Sequence, residues 1–396
     1  MTLAKTTLPV LTLEGSPHEQ GLAHGRQARE RIAHNLKVYF YRFERETKLP
    51  KAEVLRRAGL YLDVIEQTAP GYAQAMRGVA EGSGFELMEI AALNARYELI
   101  YSEVTRQALT PPFGHPSPLP GPPRRRGGNG WGSERGAGGE GPDGCTGFAV
   151  LPQKTANGHL IMGENWDWIP DVQGVILKVR EPGLPEILCF TEAGIVGGKI
   201  GLNSTGLGLA INGLNSEKDS WVSLAKPFHV RCWEILRSTE FTQAVRVVTE
   251  GARGVSANFL MAQAPDRVIN LETAPTGINQ LRAEEGWLAH TNHFINPAAV
   301  GLTREIQPSK RPSTKQRLAR AQYLLQTSPK LGTEDAQDIL RDHDDYPYSL
   351  CRHPDENFPP EERYQSVVSV VMDLNEKRLA VADGPPCQHE YRVLAL

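Results

Sequence analysis

Cys145 stands in the run Asp143-Gly144-Cys145-Thr146-Gly147, where a stretch rich in Gly and Pro gives way to an alternating apolar segment. A thiol preceded by a glycine, whose carbonyl no side chain hinders, suits a backbone that cuts itself. Cleavage of the Gly144-Cys145 bond makes Cys145 a new N-terminus. A free α-amine has a pKa of about 7.7–8.0 and a thiol about 8.5, so the liberated amine can act near neutral pH as base for its own side chain. One residue then holds nucleophile and general base together. The competing reading is an inert buried thiol, the usual state of a free cysteine.

Other residue groups carry chemistry of their own. In Gly163-Glu164-Asn165-Trp166-Asp167-Trp168 a strand puts Asn165 and Asp167 on one face and two indoles on the other, which suits a small-molecule pocket or a packed strand end. His290-Thr291-Asn292-His293 lacks the register of a zinc helix. Its Asn292 can donate to the oxyanion of a tetrahedral intermediate or hydrogen-bond a turn. Arg352, in a polar loop, can clamp a carboxylate with two hydrogen bonds or form a surface ion pair. Gly-Ile-Val-Gly-Gly-Lys at 194–199 lacks the spacing and Ser/Thr of a phosphate-binding loop, which argues against nucleotide binding.

The elements that must hold these groups follow from period and capping. A strand is expected over 8–13, and Ser16-Pro17-His18-Glu19 combines an N-cap, a first-position proline and a capping box. Apolar spacing predicts helices over 51–67, 71–79 and 86–103, so the first hundred residues read as mostly helical. From 111 to 144, 19 of 34 residues are Gly or Pro, the composition of a flexible tether. Its Arg124-Arg125-Arg126 cluster is read as solvated, not as an RNA contact. Beyond Cys145 the period becomes two. A hairpin is expected through Phe148 and Val150, a turn at Asn157-Gly158, and 160–162. Further strands are predicted at 175–179, 187–191, 206–211, 258–261, 268–272, 287–292, 366–372 and 378–382. Helices are predicted at 230–238, 242–249, 313–325 and 333–340, the third opened by Pro312 and a Ser313/Gln316 capping box. Blocks of strands and helices without strict alternation give an α+β fold.

With 396 residues, 40% of them hydrophobic, the chain can bury a large core. A formal charge of −3 offers no nucleic-acid footprint. Cys145, Cys189, Cys232, Cys351 and Cys387 form no C-x-x-C pair, which argues against a disulfide framework or a zinc ribbon and for a reducing compartment. No signal peptide or membrane-length apolar run is read, so a cytoplasmic location is expected.

Taken together, Gly144-Cys145-Thr146, Asn165-Trp166-Asp167, Thr191-Glu192-Ala193-Gly194, His290-Thr291-Asn292-His293 and Cys351-Arg352 resemble the acyl-coenzyme A:6-aminopenicillanic acid acyltransferase family, members of the N-terminal nucleophile hydrolases. The resemblance extends from Ser16 through Asn94-Ala95-Arg96-Tyr97-Glu98 to the last strands. It implies a four-layer αββα sandwich made as a precursor that cuts itself before the cysteine. Residues 1–144 would be a mostly helical small subunit and 145–396 the catalytic large subunit, the two fragments staying together as one unit. It further implies Cys145 as nucleophile, Asn292 as oxyanion donor, and Asp167 and Arg352 in maturation and site arrangement. Thr146, Trp166, Glu192 and Phe228 would line the substrate site, with no metal or cofactor required. The substrate would be a small acyl amide or thioester. Penicillin-forming members carry a serine where this chain has Phe228, and the terminal Leu394-Ala395-Leu396 lacks the basic middle residue of a peroxisomal tripeptide. An amidohydrolase acting on a small acylated amine or amino acid is therefore expected ahead of the penicillin-type transferase. The alternatives are an unprocessed binding scaffold, or a papain-like enzyme with His290 or His293 as base.

Overall fold

The capping box expected at Ser16 forms. The Ser16 N–H donates to Glu19 Oε2 at 2.7 Å, and the Glu19 N–H donates back to Ser16 Oγ at 3.4 Å. The computed structural model describes residues 3–110, 144–304, 306 and 313–396. The expected tether, Gly144 apart, its arginine cluster and Pro312 lie outside the described residues.

Strand β1 (Val10–Glu14) leads into α1 (Pro17–Gln27), α2 (Arg29–Arg42), α3 (Lys51–Thr68), α4 (Pro70–Ser83), α5 (Leu87–Asn94) and α6 (Arg96–Leu109). Helix α2 is an addition to the expected set. Charged and polar residues dilute its buried stripe of Ile32, Leu36 and Tyr39. The single helix expected over 86–103 is two, parted at Ala95, whose φ of −104° and ψ of 11° break the helical run.

Helices α1 and α4 cross at backbone distance because glycines face each other. A Cβ on Gly21 would lie 2.0 Å from the Ala75 carbonyl oxygen, and one on Gly78 would lie 2.2 Å from that of His18. Neither backbone can yield without separating the helices. Gly78→Ala is expected to destabilise the fold by about 1–3 kcal/mol or more through overpacking. Gly59→Ala in α3, where the nearest atom to a Cβ is Met88 Sδ at 3.6 Å, should instead be neutral or stabilising. Urea unfolding of the two variants checks this, and equal midpoints would refute the crossing.

The second part continues with β2 (Thr146–Val150), β3 (Ile161–Trp168), β4 (Gly174–Arg180), β5 (Ile187–Glu192), β6 (Ile200–Asn203) and β7 (Leu207–Gly213). Then come α7 (Phe228–Leu236), α8 (Phe241–Thr249), β8 (Ala257–Gln263), β9 (Arg267–Ala274), β10 (Gly277–Leu281) and β11 (Trp287–His290). Last are α9 (Thr314–Thr327), α10 (Thr333–Leu340), β12 (Gln365–Asp373), β13 (Arg378–Ala382) and β14 (Arg392–Ala395). One sheet runs β1-β4-β5-β6-β7-β8-β9-β10 and the other β11-β2-β3-β12-β13-β14. The β1–β4 pairing is parallel and the others are antiparallel. Helices α7 and α8 pack on the outer face of the first sheet, and α9 and α10 on that of the second. The layering is the expected αββα of an α+β fold.

Several local expectations change. The hairpin β2–β3 pairs Phe148 with Gly163, but its connection contains a 3-10 turn over Pro152–Lys154 instead of a tight Asn-Gly turn alone. The Ser313 capping box does not form. Ser313 has φ −94° and ψ 0°, and its Oγ accepts from Arg317 Nε at 3.0 Å. Strands β6, β10 and β14 were not expected, being only four or five residues long. Among the described residues no helix is long and apolar enough to cross a membrane.

The two-residue period of β2 sorts its side chains. Phe148 and Val150 pack outward with Leu318, Ala321 and Leu325 of α9, whereas Ala149 packs inward with Met162, Leu209 and Leu260 between the sheets. By the same alternation Thr146 faces α9 and Cys145 points into the sandwich.

Candidate active site

Cys145 lies at the end of β2 and is 5% exposed. It lines a cleft with about 340 Å³ of empty space, together with Asp167, Asn292, Trp166, Phe228 and Lys199. Burial pushes its thiol up to about 12, helped by Glu164 and Asp167 and opposed by a backbone N–H of Asp167 and by Arg317. In the uncut chain the sulfur is therefore protonated at neutral pH.

Arg317 organises the peptide around it. This residue sits on the buried stripe of α9, with Thr314, Leu318, Ala321 and Leu325. Its Nη1 donates to the Cys145 carbonyl at 2.6 Å and to Thr146 Oγ1 at 2.9 Å. Its Nη2 donates to Asn292 Oδ1 at 2.9 Å. A guanidinium only donates, so Asn292 must turn its oxygen toward Arg317 and its NH2 away. That Nδ2 reaches the Gly213 carbonyl at 3.2 Å, beside the cleft. The Asn292 N–H is held by Thr314 Oγ1 at 2.8 Å. One α9 cation thus fixes both the cysteine carbonyl and the amide.

Gly144 is wedged between Asp167 and Arg352. An added Cβ would meet Asp167 Cβ at 2.5 Å, Asp167 Oδ2 at 2.9 Å and Arg352 Nη1 at 3.0 Å, so only glycine fits. Ser366 Oγ donates to Asp167 Oδ1 at 2.7 Å and accepts from the Arg352 N–H at 3.0 Å, tying the two residues to β12. Asp167 Oδ2 has no hydrogen-bond partner among the described residues. Burial pushes the Asp167 carboxyl up to about 7 against the pull of Arg317 and Arg352. A carboxyl poised at neutrality adjoins the Gly144-Cys145 peptide.

Thr146 and Glu192 stand behind the cleft instead of lining it. Thr146 faces Arg317, as the strand parity requires. Glu192 is fully buried and accepts hydrogen bonds from Tyr39, Arg96 and Lys199. Burial raises its carboxyl, but Arg96 and then Lys199 more than offset this and hold it at about 2. With Arg96 already neutralising Glu192, burial brings the Lys199 ammonium down to about 7. Lys199 lies 3.1 Å from the Trp166 ring centroid, and Trp168 Nε1 donates to Tyr39 Oη at 2.8 Å. Ion pair and indoles therefore form one wall.

The opposite wall is aromatic. Phe228 stacks on Tyr97 with ring centroids 4.3 Å apart, and Tyr97 on Tyr101 at 4.0 Å. Glu98 Oε1 accepts from the Phe228 N–H at 2.6 Å, anchoring the start of α7. Burial pushes the Glu98 carboxyl up to about 7. A carboxyl raised by folding lends stability that is complete below its unfolded pKa and is lost as pH rises through its folded one. Protonated Glu and Gln are near-isosteric, so Glu98→Gln should be close to neutral at pH ~4.5. At pH ~8 it should be more stable than the parent by about 1–3 kcal/mol. Melting temperatures at the two pH values test this, and a pH-independent difference refutes it.

The histidines point elsewhere. His290 Nε2 meets Glu272 Oε1 at 2.9 Å and its Nδ1 meets Asn212 Oδ1 at 3.2 Å, while His293 Nδ1 meets Thr314 Oγ1 at 2.8 Å. Neither pairing leads to Cys145, so the papain-like reading lacks its base among these contacts.

A family model described as acyl-coenzyme A:6-aminopenicillanic acid acyl-transferase matches residues 153–386. The chain belongs to that family. The matched stretch of this acyltransferase-family chain begins after Cys145 and takes in Asp167, Asn292, Arg317 and Arg352. A curated relative, the 40 kDa form of acyl-coenzyme A:6-aminopenicillanic-acid-acyltransferase from Emericella nidulans, is 29% identical over 384 residues, covering 95% of this chain and 92% of that protein. Among solved structures, a Caenorhabditis elegans N-acylethanolamine-hydrolyzing acid amidase ortholog aligns with a TM-score of 0.43 at 14% identity, over 58% of this chain and 93% of that one. A mutant conjugated bile acid hydrolase from Clostridium perfringens aligns with a TM-score of 0.43 at 12% identity, over 64% and 97%.

The sequence reading missed Arg317 and Lys199. A helical projection of α9 carries the signal for the first, since Arg317 shares the face of Leu318, Ala321 and Leu325. Lys199 precedes an apolar run and was examined only as part of a phosphate loop.

Proposed function

We propose that this acyltransferase-family protein is a self-processing cysteine amidohydrolase or acyltransferase acting on a small acylated amine or amino acid. The observation that carries the reading is the environment of the Gly144-Cys145 peptide. Gly144 is wedged against Asp167 and Arg352, and Arg317 holds the Cys145 carbonyl and orients Asn292.

In maturation the Cys145 thiol gives its proton to Asp167, and the sulfur adds to the Gly144 carbonyl carbon. The C–N bond breaks, the Cys145 nitrogen takes up a proton as the new α-amine, and a Gly144 thioester remains. Water then cleaves the thioester to a carboxyl on Gly144 and a free thiol. In turnover the α-amine takes the thiol proton, and sulfur attacks the substrate acyl carbon while Asn292 Nδ2 donates to the oxyanion. The leaving amine or thiolate departs with that proton. Water or an acceptor amine releases the acyl group from sulfur. The Tyr97, Phe228 and Trp166 rings suit an apolar acyl group, and no cofactor is required.

Intact mass and N-terminal sequencing of the expressed chain test the proposal. It requires a piece of 144 residues and one of the remaining 252 of the 396, the latter starting at Cys145. The two pieces should co-elute, since core residues from both sides of the cut, such as Tyr39, Ile100, Trp166 and Phe190, belong to one cluster.

A further inference from the structure

Away from the cleft, four metal-ligating side chains converge. His343 follows α10, Cys351 and His353 flank Arg352 in the loop before β12, and Cys387 follows β13. One donor atom from each lies within 4.8 Å of the others. His353 Nε2 is 3.2 Å from His343 Nε2, 3.3 Å from Cys387 Sγ and 3.5 Å from Cys351 Sγ. Hydrogen bonding does not account for this focus, because one imidazole nitrogen offers a single hydrogen or a single lone pair in the ring plane. Three polar atoms share it.

A tetrahedral metal does account for it. With bonds of about 2.0–2.1 Å to nitrogen and about 2.3 Å to sulfur, neighbouring ligands sit about 3.3 Å apart for N to N and about 3.6 Å for N to S. The distances around His353 match that tetrahedron. The supporting backbone is closed on itself, with the Cys351 N–H donating to the Asp342 carbonyl and the His353 N–H to the Pro347 carbonyl, each at 3.0 Å. Arg320 grips the Asp342 carboxylate, at 2.6 Å through Nη2. We propose that His343, Cys351, His353 and Cys387 form a structural zinc site. Two histidines and two cysteines complete the coordination, leaving no open position for a bound water, so the ion is structural and not a reactant. It ties the loop before β12 to the segment before β14. Arg352, held between two ligands, is thereby set against Gly144 and Asp167.

Metal content is independent of chain cleavage, so this idea and the self-processing proposal fail separately. The untagged full chain, purified without chelator, should carry about one zinc per chain by plasma mass spectrometry, as a closed four-ligand site requires. Replacement by cobalt should give a thiolate charge-transfer band and tetrahedral visible bands. His343 is exposed, so His343→Ala should leave the fold intact and weaken zinc by more than the roughly 10–100-fold typical of an outer-shell change. Cys387→Ser should do the same, and His159→Ala should keep the metal. Zinc below about a tenth of the expected stoichiometry after incubation and dialysis would overturn the proposal. So would a Cys351–Cys387 disulfide in peptide maps, or unchanged zinc in both ligand variants.

Discussion

Cys145→Ala is expected to run as one uncut chain of 396 residues with no acyl transfer or amide hydrolysis, while the parent separates into pieces of 144 and 252. The effect is total because one sulfur serves both reactions. Loss of a catalytic nucleophile elsewhere lowers turnover by on the order of 10⁶. Folding should survive, since alanine keeps the Cβ and only the sulfur facing the cleft is lost. A near-parental melting temperature therefore separates lost chemistry from lost structure. Thiol reactivity gives a second readout. The buried thiol of an uncut chain lies up at about 12 and should alkylate slowly at neutral pH. The processed thiol, next to its own ammonium, should react faster. A parent chain that stays whole and inactive would sink the proposal.

Asn292→Asp is expected to lower both the cleavage rate and kcat by about 10²–10³, the usual cost of one oxyanion donor. The aspartate still accepts from Arg317, so the guanidinium keeps its partner and stability should hold. Asn292→Ala removes the donor and also strands a buried guanidinium hydrogen, adding a loss of about 1–3 kcal/mol in stability. Turnover and chemical unfolding measured on both variants distinguish the two contributions. Equal kcat in the parent and the aspartate variant would remove Asn292 from the reaction. Arg317 predicts the same pattern at one remove, because it sets which end of the amide faces the cleft.

Much of this was legible along the chain because it depends on local chemistry. The Ser16 capping box requires residues three apart, and it forms as written. The change of period after Cys145 marks the start of β2, and the parity of that strand already decides that Cys145 and Thr146 face opposite ways. Trp166 and Asp167 part in the same manner on β3. Helix α2 escaped because its apolar stripe is interrupted by charged residues that solvent tolerates. The Ser313 cap failed because Arg317, four residues on, takes the hydroxyl for its own hydrogen bond.

By itself the sequence determined the thiol at a glycine junction, the helical first part, the strands that follow and the family resemblance they carry. These rest on spacing within one element. Only the tertiary structure decided that Arg317 orients Asn292, that Gly144 is the sole residue able to sit between Asp167 and Arg352, and that Glu192 lies behind the cleft on Arg96 and Lys199. It alone gathered His343, Cys351, His353 and Cys387 from three segments. The reason is physical: the hydrogen-bond focus, charge balance and close approach behind each of these features involve groups distant in sequence, whose separation is set only when the layers pack.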